Sequence, residues 1–152
     1  MRIALTILSA GLCLARQVPA HAALGGAPET GPSASARFNA RLAHQSAAAY
    51  SLNTLNAADG GVVREYISPQ GLVFAVAWQG PWRPDLNQLL GAARYQDYVA
   101  QARSQTQTSG RQPVRLVRSD LVIHSEGHAG AFTGLAYLPD QIPAGVSPAD
   151  LH

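Results

Sequence analysis

VVREYISPQGLVFAVAWQGPWRPD, residues 62–85, is the stretch that decides how this chain folds. Residues 62–67 and 72–78 are rich in β-branched and aromatic side chains, the composition of strands. Between them lies Ser68-Pro69-Gln70-Gly71. The Pro69 ring fixes φ at about −65°, which suits the second position of a type I turn. Gly71 supplies the left-handed residue that closes a three-residue hairpin loop with a bulge. Pairing Ser68 with Leu72 then sets the register. Tyr66, Arg64 and Val62 face Phe74, Val76 and Trp78, while Ile67, Glu65 and Val63 face Val73, Ala75 and Ala77. The second strand is apolar on both faces, so it is expected at the centre of a sheet, covered on both sides.

Gln79-Gly80-Pro81-Trp82-Arg83-Pro84, with two prolines and a glycine in six residues, is expected to be irregular,. Asp85 then reads as a helix N-cap. Leu86, Leu89, Leu90 and Ala93 follow at helical spacing. Gly91 splits the helix, and its second part places Tyr95, Tyr98, Val99 and Ala102 on one stripe. Residues 114–125 return to strand composition, 126–130 read as a turn, and 131–138 as a final strand. Upstream, residues 50–56 are a first strand before the turn Asp59-Gly60-Gly61. Residues 36–50 read as a helix or a flexible arm, with Phe38, Leu42 and Ala49 near one face. Residues 29–35 read as a Gly/Pro/Ser linker.

These elements predict an α+β fold: a small antiparallel sheet (hairpin, helix, two further strands) with one main helix packed on it and an N-terminal helix. Strands running in sequence around one helix argue against a parallel βαβ arrangement. The expected organisation is a leader at 1–22, a loose arm or helix at 23–48, one α+β domain at 49–138 and an irregular surface tail at 139–152.

The chain starts with an address. Met1-Arg2 is a short positive start, residues 3–15 are mostly apolar, and Ala20-His21-Ala22 is an A-x-A cleavage site. This is the grammar of a secretory signal peptide, cleaved after Ala22. The apolar run is shorter than the roughly 20 residues a spanning helix needs. The expected location is the periplasm or the cell exterior, with no transmembrane segment in the mature chain.

Cleavage leaves 130 of the 152 residues, enough for one domain with a real core,. Cys13, the one cysteine, leaves with the leader, so thiol and disulfide chemistry go with it,. Arg2 and Arg16 leave as well. Nine arginines then face nine acids, and a formally neutral chain offers no basic footprint for nucleic acid or anionic lipid,.

Five stretches stand out: ALGG-P at Ala23–Gly26 and Pro28, VREY at 63–66, G-x-VFAVAW-x-GP at 71–81, PDL-x-x-LLG at 84–91, and G-x-AYLP-x-x-IP-x-GV at 134–146. In these the chain resembles a family of secreted bacterial proteins catalogued as domain of unknown function 2844. The resemblance covers nearly all of the mature chain. It implies export and a single domain, and it brings no catalytic residues with it.

Candidate chemistry is sparse. His124, Glu126 and His128 carry good donors for zinc or copper. On a continuous strand the first and last would be ~13 Å apart, too far for one ion, so metal binding requires a turn at Gly127. Glu65 and Asp85 are candidate acid/base carboxylates, although Asp85 has a capping role and Glu65 has an alternative as an ion-pair partner. No serine sits in a nucleophile elbow and no glycine loop cradles phosphate. Trp78, Trp82, Tyr66 and Arg64 are the candidate binding residues, with an aromatic grip near the 80–84 corner set against plain core packing.

The leading expectation is an exported, non-enzymatic binding or assembly module of the cell envelope. It needs no cofactor and meets an envelope protein, peptide or glycan through its sheet edge or the Trp82 corner. The alternative is a small envelope hydrolase or metal-binding protein using His124, Glu126, His128 or Glu65.

Overall fold

The computed structural model describes residues 23–28, 36, 39–109 and 112–152, without the side chains of 108 and 109. The leader at 1–22 and the linker at 29–35 lie outside these residues, as does Phe38.

Seven strands form one antiparallel sheet: β1 (Ala40–Ser46), β2 (Ser51–Ala57), β3 (Val62–Ile67), β4 (Val73–Gly80), β5 (Val114–Val117), β6 (Val122–His128) and β7 (Ala131–Tyr137). Their order across the sheet is β1-β2-β3-β4-β7-β6-β5. Between β4 and β5 run two helices, α1 (Leu86–Leu90) and α2 (Ala92–Ser109). The α+β class holds, but the sheet is far larger than the small one expected.

β4 is the middle strand, and residues 73–78 are all buried. One face packs under the helices, where Leu86, Leu89, Leu90 and Tyr98 meet Leu55, Val63, Val76, Trp78 and Ile123. On the other face Tyr66, Phe74, Ala75 and Ala77 are covered by Tyr50, Leu151, Ile142 and Val146.

The hairpin loop forms as its residues dictate. Ser68 N–H donates to the Leu72 carbonyl, and Gly71 adopts φ of 80°. The register beyond it differs from expectation. Ile67 faces Val73, but Tyr66 faces Ala75, so Phe74 is the extra residue of a β-bulge,. Every pair after it slips by one: Glu65 faces Val76, Arg64 faces Ala77 and Val63 faces Trp78. Trp78 therefore enters the helix-side core, while Tyr66, Phe74 and Tyr50 cluster on the opposite face with ring centroids 5.6–6.2 Å apart. The bulge lets both aromatic sets be buried, which one unbroken ladder cannot do.

Residues 40–46 are a strand, not part of a helix. An Ala-rich helix there has little apolar surface to bury. As a strand it completes the ladder on β2, sets Leu42 against Leu55 and brings His44 to Asn53. Residues 114–125 are two strands, split where Arg118 N–H donates to the Leu121 carbonyl. β6 runs on through 126–128, and the expected turn is displaced to Ala129-Gly130.

Residues 23–28 and 139–152 are both structural. Residues 23–28 are docked rather than loose. Leu24 is fully buried, its N–H donates to Leu89 O, and Gly25 and Gly26 exchange hydrogen bonds with Val73. Arg94 Nη1 donates to Leu24 O at 2.7 Å. The tail is likewise not a surface appendage. It makes 3-10 turns at Pro139–Gln141 and Pro148–Asp150 and buries Leu151 on the second sheet face. The Tyr66 hydroxyl donates to His152 O at 2.8 Å and accepts from His152 N–H at 3.0 Å. Without this cover the aromatic face of β4 would stand in water.

Asp85 caps α1 as expected, accepting from the N–H groups of Asn87 and Gln88. Gly91, at φ of 80°, divides α1 from α2. No helix among the described residues is long and apolar enough to cross a membrane.

Candidate functional site

Strand pairing lines up one row of side chains on the tail-covered face. Arg64 on β3 faces Ala77 on β4, Ala77 faces Leu135 on β7, Leu135 faces His124 on β6, and His124 faces Arg115 on β5. The next row holds Gln79, Thr133 and Glu126. Leu151 and His152 of the tail complete the surround of a groove of about 350 Å³. Its floor is small and apolar, from Ala77 and Leu135, and a cation stands at each end. Four interstrand steps of about 4.8 Å separate the backbones of Arg64 and Arg115 by ~19 Å.

His124 sits in this groove with Nε2 buried and without a hydrogen bond. Burial holds its imidazole below the ordinary value, and the Arg115 guanidinium pushes the same way; the Glu126 carboxylate pulls it partly back. The ring is therefore neutral near pH 7, able to donate from one nitrogen and accept at the other. The groove thus offers two guanidiniums, one neutral imidazole and one carboxylate around an apolar strip.

Of the residues singled out in the sequence, Arg64, His124 and Glu126 come together here. His128 follows on the same continuous strand, without the turn at Gly127 that would draw the three donors together. Among the described residues no three His, Cys, Asp or Glu side chains are grouped to hold a metal ion. Trp78 and Tyr66 lie on opposite faces of the sheet, both buried. Trp82 is 44% exposed and borders a separate pocket of about 260 Å³ with Leu55, Val63, Pro84, Asn39 and Gln88. The four binding candidates do not form one site.

Glu65 and Asp85 do not act as a pair. The Asp85 carboxylate is engaged at the helix start. Glu65 is buried on the helix side, where Asn53 Nδ2 donates to its Oε2 at 3.3 Å. Asn53 Oδ1 in turn meets His44 Nδ1 at 2.8 Å. A carboxylate only accepts, so the amide presents its oxygen to His44, and His44 carries its proton on Nδ1. This chain links a core carboxylate to an exposed histidine across three strands.

The sequence reading missed Arg115, His152, Asn53 and His44. Arg115 shares the alternation of His124 once a turn is placed at 118–121. His152 has no local signal, because its position depends on contacts made 86 residues away.

The family described as "Protein of unknown function (DUF2844)" matches residues 20–151. The chain belongs to that family. No curated protein sequence and no solved structure matches it significantly. The stretches that carry the likeness to the DUF2844 family have structural work in this fold. Leu24-Gly25-Gly26 docks on β4, residues 73–78 are the central strand, Asp85 caps α1, and residues 134–146 span β7 and the start of its cover.

Proposed function

We propose that the protein is an exported, non-enzymatic binding module of the cell envelope, and that its ligand occupies the groove between Arg64 and Arg115. The observation that carries this reading is the pair of guanidiniums bracketing an apolar floor, with the unpartnered Nε2 of His124 between them. A ligand with an acidic group at each end and an apolar middle matches that pattern, since guanidinium favours carboxylate by charge-assisted, two-point hydrogen bonding. The volume falls in the range of small-molecule sites. The A-x-A leader supports export.

Titration calorimetry with a graded series of linear dicarboxylates tests the site. Binding of one chain length, weakened about tenfold or more by Arg64→Ala and by Arg115→Ala, is the expected result. No heat with any length removes this ligand class. Intact mass of the protein recovered from the envelope or the medium tests export; the expected chain starts at Ala23.

Trp82 carries a second reading. An exposed indole at an apolar pocket suits a peptide or glycan ligand,. Trp82→Ala then abolishes binding to that partner and leaves dicarboxylate binding unchanged.

A further inference from the structure

The two edges of the sheet are treated differently. β5 is only four residues long, and helix α2 covers its backbone. Gln105 Oε1 accepts from Arg115 N–H, and Gln101 Nε2 and Gln105 Nε2 both donate to Arg115 O. That edge is closed to further pairing. β1, at the other edge, is seven residues long and in unbroken register, with no proline, lysine or bulge. Five of its side chains are exposed. Among the described residues its outer backbone pairs with nothing, the only bonds being to β2 and at its two ends.

We propose that β1 pairs antiparallel with β1 of a second copy, joining two seven-stranded sheets into one. A strand of this length pairs in full with its own copy only when the two-fold axis passes through its middle residue, Ala43,. That register places a methyl group against a methyl group at the closest approach. Arg41, the only residue of β1 with a fixed charge, then meets Gln45 of the other copy, and Leu42 meets His44. No like charges are set opposite each other, the condition an isologous strand pair has to satisfy. The formal neutrality of the chain after leader removal leaves no net charge to hold copies apart,. The two-fold axis is perpendicular to the joined sheet, so both ligand grooves open on the same side. This inference concerns an edge remote in the strand order from the Arg115 end of the groove and stands whether or not the groove binds dicarboxylates.

Sedimentation equilibrium on the mature protein gives the first readout: a mass twice that of the chain at tens of micromolar. Ala43→Asp puts two carboxylates on the axis at an exposed position and is expected to weaken association at least ~10-fold with the monomer fold retained by circular dichroism. The mature chain lacks cysteine, so single-cysteine variants report the register. Ala43→Cys forms a disulfide-linked dimer on oxidation. Arg41→Cys does not link to itself but links to Gln45→Cys when the two are mixed. A chain that stays monomeric throughout overturns the proposal, and so does a dimer that is indifferent to Ala43→Asp and fails to cross-link through Ala43→Cys.

Discussion

Replacing Gly134 with alanine should be among the most damaging single-methyl changes in this molecule. Gly134 on β7 is directly opposite Trp78 on β4, and the indole occupies the space a side chain at Gly134 would need. A Cβ at Gly134 stands 2.1 Å from Trp78 Cζ2, 2.4 Å from Cε2 and 2.8 Å from the His124 carbonyl oxygen. Ordinary contact begins at 3.4 Å, so the ring or the strand has to retreat by 1.3 Å. Trp78 is 2% exposed, so any retreat of the ring has to displace core neighbours.

Overpacking a core costs 1–3 kcal/mol and sometimes more. With an indole and a backbone carbonyl both in the way, about 3 kcal/mol is expected, roughly a 10 °C fall in Tm for a domain of this size. Gly134 is not in the left-handed region, so the loss comes from the contact and not from backbone strain.

Urea unfolding followed by circular dichroism reads the loss with a probe that depends on neither tryptophan. Repeating the substitution beside Trp78→Leu should recover more than half of the loss, because the two effects share one contact. Gly130→Ala is the control. It has φ of 91° and no atom within 4 Å, so its cost is the backbone penalty of about 1–2 kcal/mol, with no coupling to Trp78,. A Gly134→Ala protein within ~0.5 kcal/mol of its parent would refute the packing of Trp78 on β7.

Two further outcomes follow from the same structure. Leu24→Ala should cost about 2–5 kcal/mol in urea unfolding, because a fully buried leucine is removed from the junction of α1, α2 and β4; a loss below ~1 kcal/mol would show that residues 23–26 are not part of the core,. Stability should fall as pH drops from about 6.5 through the lowered folded pKa of His124, since in that window the unfolded chain binds more protons than the folded one,. His124→Gln should flatten that part of the stability profile, and an identical slope in the variant would contradict the burial of the imidazole.

Much of the fold was legible because it is local. Pro69 and Gly71 fix the hairpin loop, Asp85 caps α1, Gly91 splits the helix, and seven apolar residues in a row, 72–78, put β4 at the centre. The strand at 40–46 was missed because its residues have no strong preference of their own, and the partner edge that selects a strand lies elsewhere. The tail was misjudged for a related reason: three prolines and few apolar residues read as surface, while Leu151 is recruited by an aromatic face the tail itself cannot encode. In the site, Arg64, His124 and Glu126 were visible as residue types, but their company was not, because a row across five strands has no signature in the sequence of any one strand.

Taken alone, the order of residues determined the short-range events, in which a ring, a missing side chain or a capping carboxylate acts within a few positions of itself. Only the tertiary structure decided which face each aromatic enters and what lies beside Arg64. A single extra residue, Phe74, inverts the alternation of everything after it, and whether a strand accepts such a bulge depends on what both of its faces must bury.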